Sequence, residues 1–539
     1  MLGSAVMETV KLIYISSSTV FAILISFLIK FFNKVWWTPM RIQSMMMSQG
    51  IKGPSYKLFY GNNKEIIHLT NKASSNPMEL SHQVFPTVLP HFHSWMKLYG
   101  KNFLRWQGPQ AYLVFSEPNE LVKEIFNNRD GAFPKPEPDN YTKKLIGEGI
   151  GTTRIPEKWL KLRKLSNHAF HAECLKSMIP AMITSVEMML EKWRHNEGKE
   201  KMMLEKWRHN EGKEIEVFQE FKVLASEIIS RTAFGSSYLE GQRIFDMINQ
   251  LTLIIGRNRY RIRIPGIRNL VKTWDDIESE KIDQEIRDSI MNMIKKREEA
   301  AMMSQSNGFG TDFLGLLLKA HHDNNDPDQT KRLSVEEMID ECKTFYVVGH
   351  ETTATSFTWT VFLLAIHTDW QDKARKEVLE LFGQQSPSSD GLSKMKLVSM
   401  IINEALRLYP PVLSIPKAVQ RQVRLGKLVL PANIVIEIPV IALHHDPEIW
   451  GEDVYLFKPE RFAEGLAKAT NNNLNAYLPF SLGPRSCVGY NFAITETKIA
   501  LSMILQHYRF TLSPTYVHSP VNRLTVCPQH GMQIMLHPL

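Results

Sequence analysis

The stretch FSLGPRSCVGYNFA, residues 480–493, frames one cysteine with glycines, an arginine and aromatic residues. The chain of 539 residues holds only four cysteines, and none of them belongs to a C-x-x-C pair. Neither a zinc–cysteine cluster nor a disulfide framework is therefore supported, and so few cysteines favour a reducing compartment. The frame around Cys487 needs a chemical explanation other than cross-linking.

The residues around Cys487 suit a thiolate that binds iron. A thiolate needs hydrogen-bond donors and positive potential nearby to stay deprotonated. Gly483 and Gly489 let the backbone approach the sulfur, and a helix that begins after Cys487 would point its positive end at it. Phe480 can shield the sulfur, and Arg485 can meet an anionic group. The frame predicts an axial haem ligand rather than a nucleophile, which would need a nearby base.

The overall composition is typical of a globular protein. Hydrophobic residues make up 43% of the chain and charged residues 22%, enough for a large packed core. The formal net charge of +8 is compatible with nucleic acid, a membrane surface or an acidic protein as partner. It is equally compatible with an ordinary solvated surface.

An apolar segment near the N-terminus is long enough to cross a membrane. Residues 12–29, LIYISSSTVFAILISFLI, carry no charge. As a helix they would span about 27 Å, close to the thickness of an endoplasmic reticulum bilayer. Because Lys30, Trp36 and Trp37 follow instead of a small-residue cleavage site, the segment predicts an uncleaved anchor rather than a signal peptide. The basic residues after it place the rest of the chain in the cytoplasm.

Beyond this segment the pattern predicts a mainly helical body with a small β-sheet portion. Strand pairs are expected within residues 102–117, 425–440 and 523–537. Ser334 and Glu337 form the pattern of a capping box. They open a helix that is expected to run to residue 367 and to thread the core, because it is long and increasingly apolar.

The long helix carries the polar run GHETT, residues 349–353. A glycine weakens a helix and hydroxyls can bond back to carbonyls, so the run invites a local opening. An acid beside an alcohol on an apolar helix, here Glu351 and Thr352, is costly unless it is used. Two interpretations stay open from these residues alone: a kink with satisfied polar groups, or a device for proton delivery.

Glu404 and Arg407 are three residues apart and can pair on one helix face, and the helix must end before Pro410. By itself this is an ordinary ion pair. Arg461, in PERF at 459–462, offers a second guanidinium to the same carboxylate. A shared carboxylate would join two distant segments of the chain.

The segment MMLEKWRHNEGKE occurs twice, at residues 188–200 and again at 202–214. Solenoid repeats need three or more diverged units, so residues 188–214 are interpreted as a tandem 14-residue duplication without a function of its own. Gly198 and Gly212 are positions at which a helix can stop. A lengthened helix or an extruded loop is therefore expected.

Together these motifs resemble the cytochrome P-450 family of haem-thiolate monooxygenases. The resemblance rests on F-x-x-G-x-R-x-C-x-G at 480–489, E-x-x-R at 404–407, P-E-R-F at 459–462 and G-x-E-T-T at 349–353. It covers residues 40–539, and the anchor is similar to that of microsomal members. The stretches 49–66 and 444–462 look like the plant branch that oxidises hormones and terpenoids.

The resemblance implies one large catalytic domain, residues 36–539, mainly α with a small β-sheet portion, behind a membrane anchor, residues 1–35. It also implies haem b as the cofactor, with the thiolate of Cys487 as the metal ligand. The residues implied to bind the haem are Trp159, Arg163, Lys417, Phe480, Gly483, Arg485, Cys487 and Gly489.

Two further sets of residues match the family. Glu351 and Thr352 match the acid and the alcohol that deliver protons to dioxygen. Glu404, Arg407 and Arg461 match a structural triad behind the haem.

Two positions depart from the family pattern. Val348 stands where alanine or glycine is usual, which adds bulk over the haem and restricts the approach of substrate. Lys417 stands where many members have an arginine for a haem propionate. Lysine keeps the charge but loses the bidentate geometry.

The activity implied is insertion of one oxygen atom from O2 into a lipophilic small molecule, hormone-like or terpenoid-like. Electrons would come from NADPH through NADPH-cytochrome reductase, at the cytoplasmic side of the endoplasmic reticulum membrane. The substrate pocket is expected between residues 348–352 and the loop 133–155.

Two other functions stay open. The first is a haem-thiolate isomerase or dehydratase that needs no O2, against which the intact Glu351 and Thr352 argue. The second is a haem-binding protein inactivated by the duplication. The substrate is open among gibberellin-like diterpenoids, brassinosteroids, cytokinins, triterpenoids and fatty acids.

Residues 257–265, RNRYRIRIP, interleave four arginines with tyrosine and isoleucine. Such a pattern is superficially typical of a nucleic-acid patch. Its position resembles the family's loop that faces the membrane, where arginines meet anionic headgroups and apolar side chains dip in. We therefore expect a membrane contact and no nucleic-acid partner.

Overall fold

The computed structural model describes residues 2–118, 120–204, 212–236, 238–261, 272–303, 308–323 and 332–539. Within these ranges the chain is mainly helical, which confirms the predicted fold class. The helices of the first half are α1 Leu2–Phe32, α2 Thr38–Ser48, α3 Asn63–Ser74, α4 Phe85–Val88, α5 Pro90–Tyr99, α6 Glu120–Asn127, α7 Asn140–Ile146, α8 Pro156–Ala169, α9 Ala172–Leu204, α10 Val217–Phe234 and α11 Tyr238–Asn258. Those of the second half are α12 Trp274–Met303, α13 Phe313–His321, α14 Val335–Ile366, α15 Thr368–Phe382, α16 Ser389–Lys394, α17 Leu397–Leu408, α18 Val440–His444, α19 Pro447–Trp450, α20 Leu466–Ala469 and α21 Tyr490–His507.

The strands form small sheets at the border of the helical body. They are β1 Asn102–Gln107, β2 Gln110–Phe115, β3 Lys213–Glu216, β4 Ser414–Ala418, β5 Val423–Leu425, β6 Leu428–Leu430, β7 Val435–Pro439, β8 Tyr508–Leu512, β9 Pro520–Asn522, β10 Val526–Pro528 and β11 Gln533–Pro538. The largest sheet has the order β1-β2-β7-β4, with only β2 and β7 parallel. A three-stranded sheet has the order β3-β11-β8, and two strand pairs are β5-β6 and β9-β10.

The structure confirms one predicted strand pair and corrects two. β1 and β2 pair within residues 102–117 as expected. The apolar runs in 425–440 and 523–537 do form strands, but their predicted pairings are wrong. Both edges of β7 are filled by β2 and β4, and both edges of β11 by β3 and β8. A turn between two runs therefore does not make them partners where other strands compete for the same edges.

The N-terminal helix continues past its apolar segment. α1 passes through a π-helical turn, Asn33–Trp37, directly into α2. It is long and apolar enough to cross a membrane, and its side chains from Leu12 to Ile29 are exposed. The Tyr56 hydroxyl donates a hydrogen bond to the Val35 carbonyl at 2.5 Å. The end of this helix is therefore packed against the rest of the protein.

Helix α14 is the central element of the core. Its predicted capping box is confirmed, since the Glu337 N–H donates to Ser334 Oγ at 3.2 Å and the Ser334 N–H to Glu337 Oε2 at 2.9 Å. The helix runs unbroken to Ile366, so the opening expected at 349–353 is absent from it. The Thr352 hydroxyl donates to the Val348 carbonyl at 2.7 Å, which satisfies the alcohol without opening the helix.

Gly349 has a packing role where α14 contacts α10. A Cβ at this position would lie 2.9 Å from Cγ1 of Ile229 on α10. The glycine therefore allows α10 to approach α14 closely at the polar run.

The duplicated segment is divided between two elements. In the first copy Met189, Leu190 and Trp193 are buried on α9, and the helix continues through Gly198 to Leu204. In the second copy Lys213 and Glu214 begin β3, which pairs with β11. Gly198 therefore does not end the helix. Residues 205–211 lie outside the described ranges, so the choice between a lengthened helix and an extruded loop stays a prediction.

Part of the basic stretch 257–265 can be described. Arg257 and Arg261 both pair with Asp275, at 3.0 Å and 3.2 Å. Two of the four arginines therefore share one carboxylate within the protein. Residues 262–265 lie outside the described ranges, so the expected membrane contact of this loop stays a prediction.

Candidate functional site

The cysteine lies in a tight loop that precedes α21. The Cys487 N–H donates to the Phe480 carbonyl at 3.0 Å, and the Ser486 N–H to the Gly483 carbonyl at 3.0 Å. Gly483 has a φ of +73°, and a Cβ there would lie 2.7 Å from the carbonyl oxygen of Phe126. Only glycine suits both the backbone angle and the close approach. The loop therefore fixes where the thiol lies.

The surroundings of Cys487 act on its thiol in opposite directions. The side chain is exposed, and α21 begins three residues later with Gly489 as its N-cap. Although the residue keeps access to solvent, the protein atoms packed around its sulfur raise the pKa of Cys487, while the Gly489 N–H and the Arg163 guanidinium act to lower it. The chain supplies donors that favour a thiolate but not enough to hold one unaided.

Helix α8 packs against the same loop. Nη1 of Arg163 donates to the Ser486 carbonyl at 2.5 Å. The Arg485 guanidinium lies 4.7 Å from the centre of the Trp159 ring, and its Nη1 donates to the Thr153 carbonyl at 3.0 Å. The structure thus brings together the predicted residues of α8 and of the cysteine loop.

Lys417 and Lys135 complete a cluster of cations with Arg485. The segment that contains Lys135 pairs with the end of β4, because the Ala418 N–H donates to the Pro134 carbonyl at 2.8 Å. The Lys417 side chain is only 3% exposed, and its Nζ lies 5.1 Å from the centre of the Phe126 ring. Phe126 is also the residue against which Gly483 packs, so the cluster borders the cysteine loop.

The charges of this cation cluster, Lys135, Lys417 and Arg485, repel one another. Burial, reinforced by Lys135 and Arg485, lowers the pKa of Lys417 to about 7. Burial and Arg485 lower the pKa of Lys135 to about 8. In the part of the chain that the structure describes, no carboxylate pairs with any of the three. Cations that are fully buried, as Lys417 is, or partly buried, as Lys135 and Arg485 are, cost free energy without an opposite charge nearby, so this cluster fits a ligand that carries negative charge.

One turn of α14 carries an exposed apolar side chain. Val347 and His350 are each 1% exposed, whereas Val348 between them is 40% exposed. Gly349 and Thr352, on the same turn, are partly exposed. The face of α14 that carries Val348 and Thr352 therefore borders open space. The rest of the helix around this turn is buried.

Glu351 does not share that face. Its carboxylate lies 3.0 Å from Nζ of Lys222 on α10 and accepts a hydrogen bond from the Thr525 hydroxyl at 3.2 Å. Burial raises the pKa of this carboxyl, but Lys222, His350 and Thr525 outweigh it, and the net pKa is below the ordinary value. The predicted acid is thus held as an anion, turned away from the predicted alcohol.

Glu404 and Arg407 on α17 converge with Arg461, which lies between α19 and α20. Nε and Nη2 of Arg407 each donate to the Glu404 carboxylate at 2.7 Å, and both side chains are fully buried. Nε of Arg461 lies 3.5 Å from the same carboxylate. The Arg461 Nη2 is held more closely by Asp453, at 2.5 Å from its Oδ1. The positive charges of Arg407 and Arg461 are therefore balanced by carboxylates of the chain itself.

The loop that precedes α8 is fastened to α14. The Thr344 hydroxyl donates to the Ile146 carbonyl at 2.8 Å, and the Ile150 N–H donates to Oε1 of Glu341. These contacts lie one to two turns before Val348 on α14. Part of the predicted pocket loop, residues 133–155, therefore packs beside the polar run.

Three residues of these charge networks were missed from the sequence: Lys135, Lys222 and Asp453. Lys222 had a signal, because it interrupts the buried positions of α10 at Phe221, Leu224 and Ala225. Lys135 and Asp453 lie in irregular segments without a periodic pattern, so no comparable signal pointed to them.

A sequence model of the family described as cytochrome P450 matches residues 82–536. The chain belongs to the cytochrome P450 family. This cytochrome P450 is 56% identical over 527 residues to "Cytochrome P450 CYP749A22" of Panax ginseng, with 97% of this chain and 96% of that protein covered. It is 39% identical over 514 residues to "11-oxo-beta-amyrin 30-oxidase" of Glycyrrhiza uralensis, with 94% of each covered. With "Cytochrome P450 734A1" of Arabidopsis thaliana the identity is 37% over 532 residues, with 98% of each covered.

Family membership confirms the predicted enzyme class, a cytochrome P450 monooxygenase, and implies haem with a cysteine thiolate ligand. The residues of this cytochrome P450 fit that group. Haem b combines an iron, which a thiolate can bind, with two carboxylates, which cations can bind. A thiol whose pKa is raised and a cation cluster that has no carboxylate partner among the described residues lie side by side, as such a ligand requires.

Proposed function

We propose that this cytochrome P450 is a membrane-bound haem-thiolate monooxygenase that hydroxylates a lipophilic, hormone-like or terpenoid-like small molecule. It would use O2 and electrons from NADPH, supplied by an NADPH-cytochrome reductase. The observation that carries the proposal is the cation cluster of Lys135, Lys417 and Arg485 beside the Cys487 loop. One anionic, iron-containing ligand accounts for both features.

Each residue around Cys487 has a part in holding the cofactor. Haem b would supply, when bound, the activation of O2 for insertion of one oxygen atom. Cys487 would provide the thiolate, and the Gly489 N–H would lower its basicity. Lys135, Lys417 and Arg485 would neutralise the propionates. Trp159 holds the Arg485 guanidinium in place through its ring.

The polar run of α14 would handle protons. Thr352 presents its hydroxyl on the turn that borders open space, and Glu351 is the neighbouring acid. Because Lys222 and Thr525 hold Glu351 away from that turn, the carboxylate must exchange these contacts before it can serve Thr352. Lys222 is therefore a positioning residue in this proposal.

The proposed location and substrate class rest on separate supports. Residues 1–35 would anchor the protein in the endoplasmic reticulum membrane, with residues 36–539 as the catalytic domain in the cytoplasm, since α1 is apolar and exposed. A terpenoid-like substrate is supported by the 39% identity to the protein named 11-oxo-beta-amyrin 30-oxidase. Val348, 40% exposed on its turn, would narrow the space above the haem.

Reconstitution in phospholipid vesicles with NADPH-cytochrome reductase tests this function. Candidate terpenoids and hormones are first screened for a shift of the ferric haem spectrum. Those that bind are then turned over under isotopically labelled O2. We expect products that carry one labelled oxygen atom and depend on NADPH, and none from Cys487→Ala. A product formed without O2 would instead establish an isomerase or dehydratase.

A further inference from the structure

A cluster of metal-ligating side chains lies where α12 meets the end of α13, outside the haem site. It comprises Glu298 on α12, His321 at the last position of α13 and His322 directly after it. One possible ligand atom from each of the three residues lies within 4.8 Å of those of the other two. Two imidazoles and one carboxylate are a donor set that Zn²⁺ prefers.

The imidazole of His321 is oriented by a contact that leaves one nitrogen available. Its Nδ1 lies 2.6 Å from the carbonyl oxygen of Leu333. Since a carbonyl can only accept, Nδ1 carries the proton and Nε2 carries the lone pair. A histidine that binds a metal usually donates its second N–H to a carbonyl in this way.

The imidazole of His322 is fixed from two sides. Its ring stacks on Phe309 with the centres 4.9 Å apart and the planes inclined by 9°. Its Nε2 lies 2.8 Å from Oε1 of Glu298. A histidine–glutamate pair of this kind, with His322 38% exposed, stabilises a protein little by itself. The pair also makes no use of Nε2 of His321, which the contact with Leu333 leaves available near it.

We propose that Glu298, His321 and His322 form a zinc site that joins α12 to the end of α13. Three protein ligands with a water molecule as the fourth give zinc its usual coordination number. The 38% exposure of His322 leaves room for that water and for entry of the ion. The bound ion would stabilise the contact between the two helices by a free energy that grows with the logarithm of the ratio of its concentration to its Kd.

Zinc titration of the haem-loaded full chain tests this site. The protein is first treated with a chelator and then titrated with Zn²⁺ against a fluorescent chelator that competes for the ion. Wild type is expected to bind one zinc ion tightly. His321→Ala, His322→Ala and Glu298→Gln should each weaken this binding by at least about tenfold. His68→Ala, which removes an exposed histidine on α3, should change nothing.

Two results would overturn the proposal. One is that wild type binds no zinc ion, or that the doubly substituted His321→Ala, His322→Ala protein binds it as tightly as wild type. The other is an X-ray absorption spectrum that shows sulfur in the zinc shell, which would assign the ion to a cysteine. The haem spectrum of each variant, unchanged from wild type, shows that loss of zinc is not loss of fold.

Discussion

Two sets of buried charges in this cytochrome P450 differ in how they are balanced. Arg407 and Arg461 share the carboxylate of Glu404, and Asp453 takes up the remaining charge. The cation cluster near Cys487 has no such partner within the described residues. The first set is complete without a ligand, so it serves the fold. The second is incomplete, so it serves a ligand with negative charge.

The largest effect is expected from breaking the balanced set. Arg407→Ala leaves Glu404 fully buried without its bidentate partner. Removing one member of a buried ion pair costs about 3–5 kcal/mol. Thermal unfolding of the variant should show a loss of this size, together with little haem-loaded protein on expression.

A matched control is Arg424→Ala, which removes an exposed arginine from β5. It should unfold within about 0.5 kcal/mol of wild type. If Arg407→Ala unfolded like this control, the set would not be needed for the fold.

Removing charge from the cation cluster should have the opposite effect on the protein without cofactor. The double variant Lys135→Met, Lys417→Met relieves repulsion, so its cofactor-free form should be at least as stable as wild type. Once haem is bound, two charge-assisted contacts are missing, and transfer of haem to an acceptor globin should be about 10- to 100-fold faster. The exposed pair Lys394→Met, Lys427→Met is the control.

The same lysines give a pH test. Their pKa values of about 7 for Lys417 and about 8 for Lys135 lie below the ordinary 10.5. Folding therefore releases protons, and the cofactor-free wild type should gain stability as pH rises through 7 and 8. The double variant should lack this gain. An equal gain in both proteins would show that burial and neighbouring cations do not lower the pKa values of these lysines as described.

A smaller effect is expected at the pair of Lys222 and Glu351. Its two charges balance each other, and it adjoins the Val348–Thr352 turn. Lys222→Met leaves the carboxylate buried, and the cost is about 1–3 kcal/mol at neutral pH. The pair lowers the pKa of Glu351, so its contribution is present above pH 4.5 and disappears as pH falls through the lowered value. Urea unfolding of both proteins between pH 3 and 7 measures the difference.

Lys192→Met is the control for this pair, because its ion pair with Glu220 is largely exposed on the lysine side. It should cost less than about 1 kcal/mol at any pH in this range. A difference between Lys222→Met and wild type that did not shrink in acid would contradict the assigned pairing.

The smallest effect is expected from replacing Lys417 by the arginine that the family resemblance led us to expect there. Lys417→Arg gains a planar fork suited to a carboxylate. Haem loss should become about two- to fivefold slower, since one charged contact improves without a new one being added. Lys427→Arg, on the surface, should leave the rate unchanged.

Local motifs carried most of what could be predicted. The capping box of Ser334 and Glu337 and the pairing of Glu404 with Arg407 involve residues three apart, so a helix alone brings them together. The frame around Cys487 predicted a close approach of the backbone at Gly483, and the structure adds that this glycine has a positive φ.

What could not be predicted depends on which distant segments meet. The sequence gives no sign that Pro134 pairs with Ala418, and this pairing is what brings Lys135 beside Lys417. The sequence likewise shows that Glu351 is an acid next to Thr352. It does not show that Lys222 on α10 and Thr525 before β10 turn the carboxylate away from Thr352. The strand pairings failed for the same reason.

The structure was also needed to learn which element each copy of the duplicated segment contributes to. The first copy supplies the buried Trp193, and the second supplies the start of β3. Deleting residues 188–201 leaves one complete copy, which contains both parts. The extra residues of the duplication therefore lie between Trp193 and β3, and they replace neither of these two parts.

The most direct test is the carbon monoxide difference spectrum of the reduced protein. Wild type, Cys487→Ala and the variant that lacks residues 188–201 are compared after expression with haem. We expect a thiolate-type Soret band in wild type and in the deletion variant, and its absence from Cys487→Ala. A thiolate-type band that survives in Cys487→Ala, or no such band in either of the other two proteins, would contradict a haem held by Cys487.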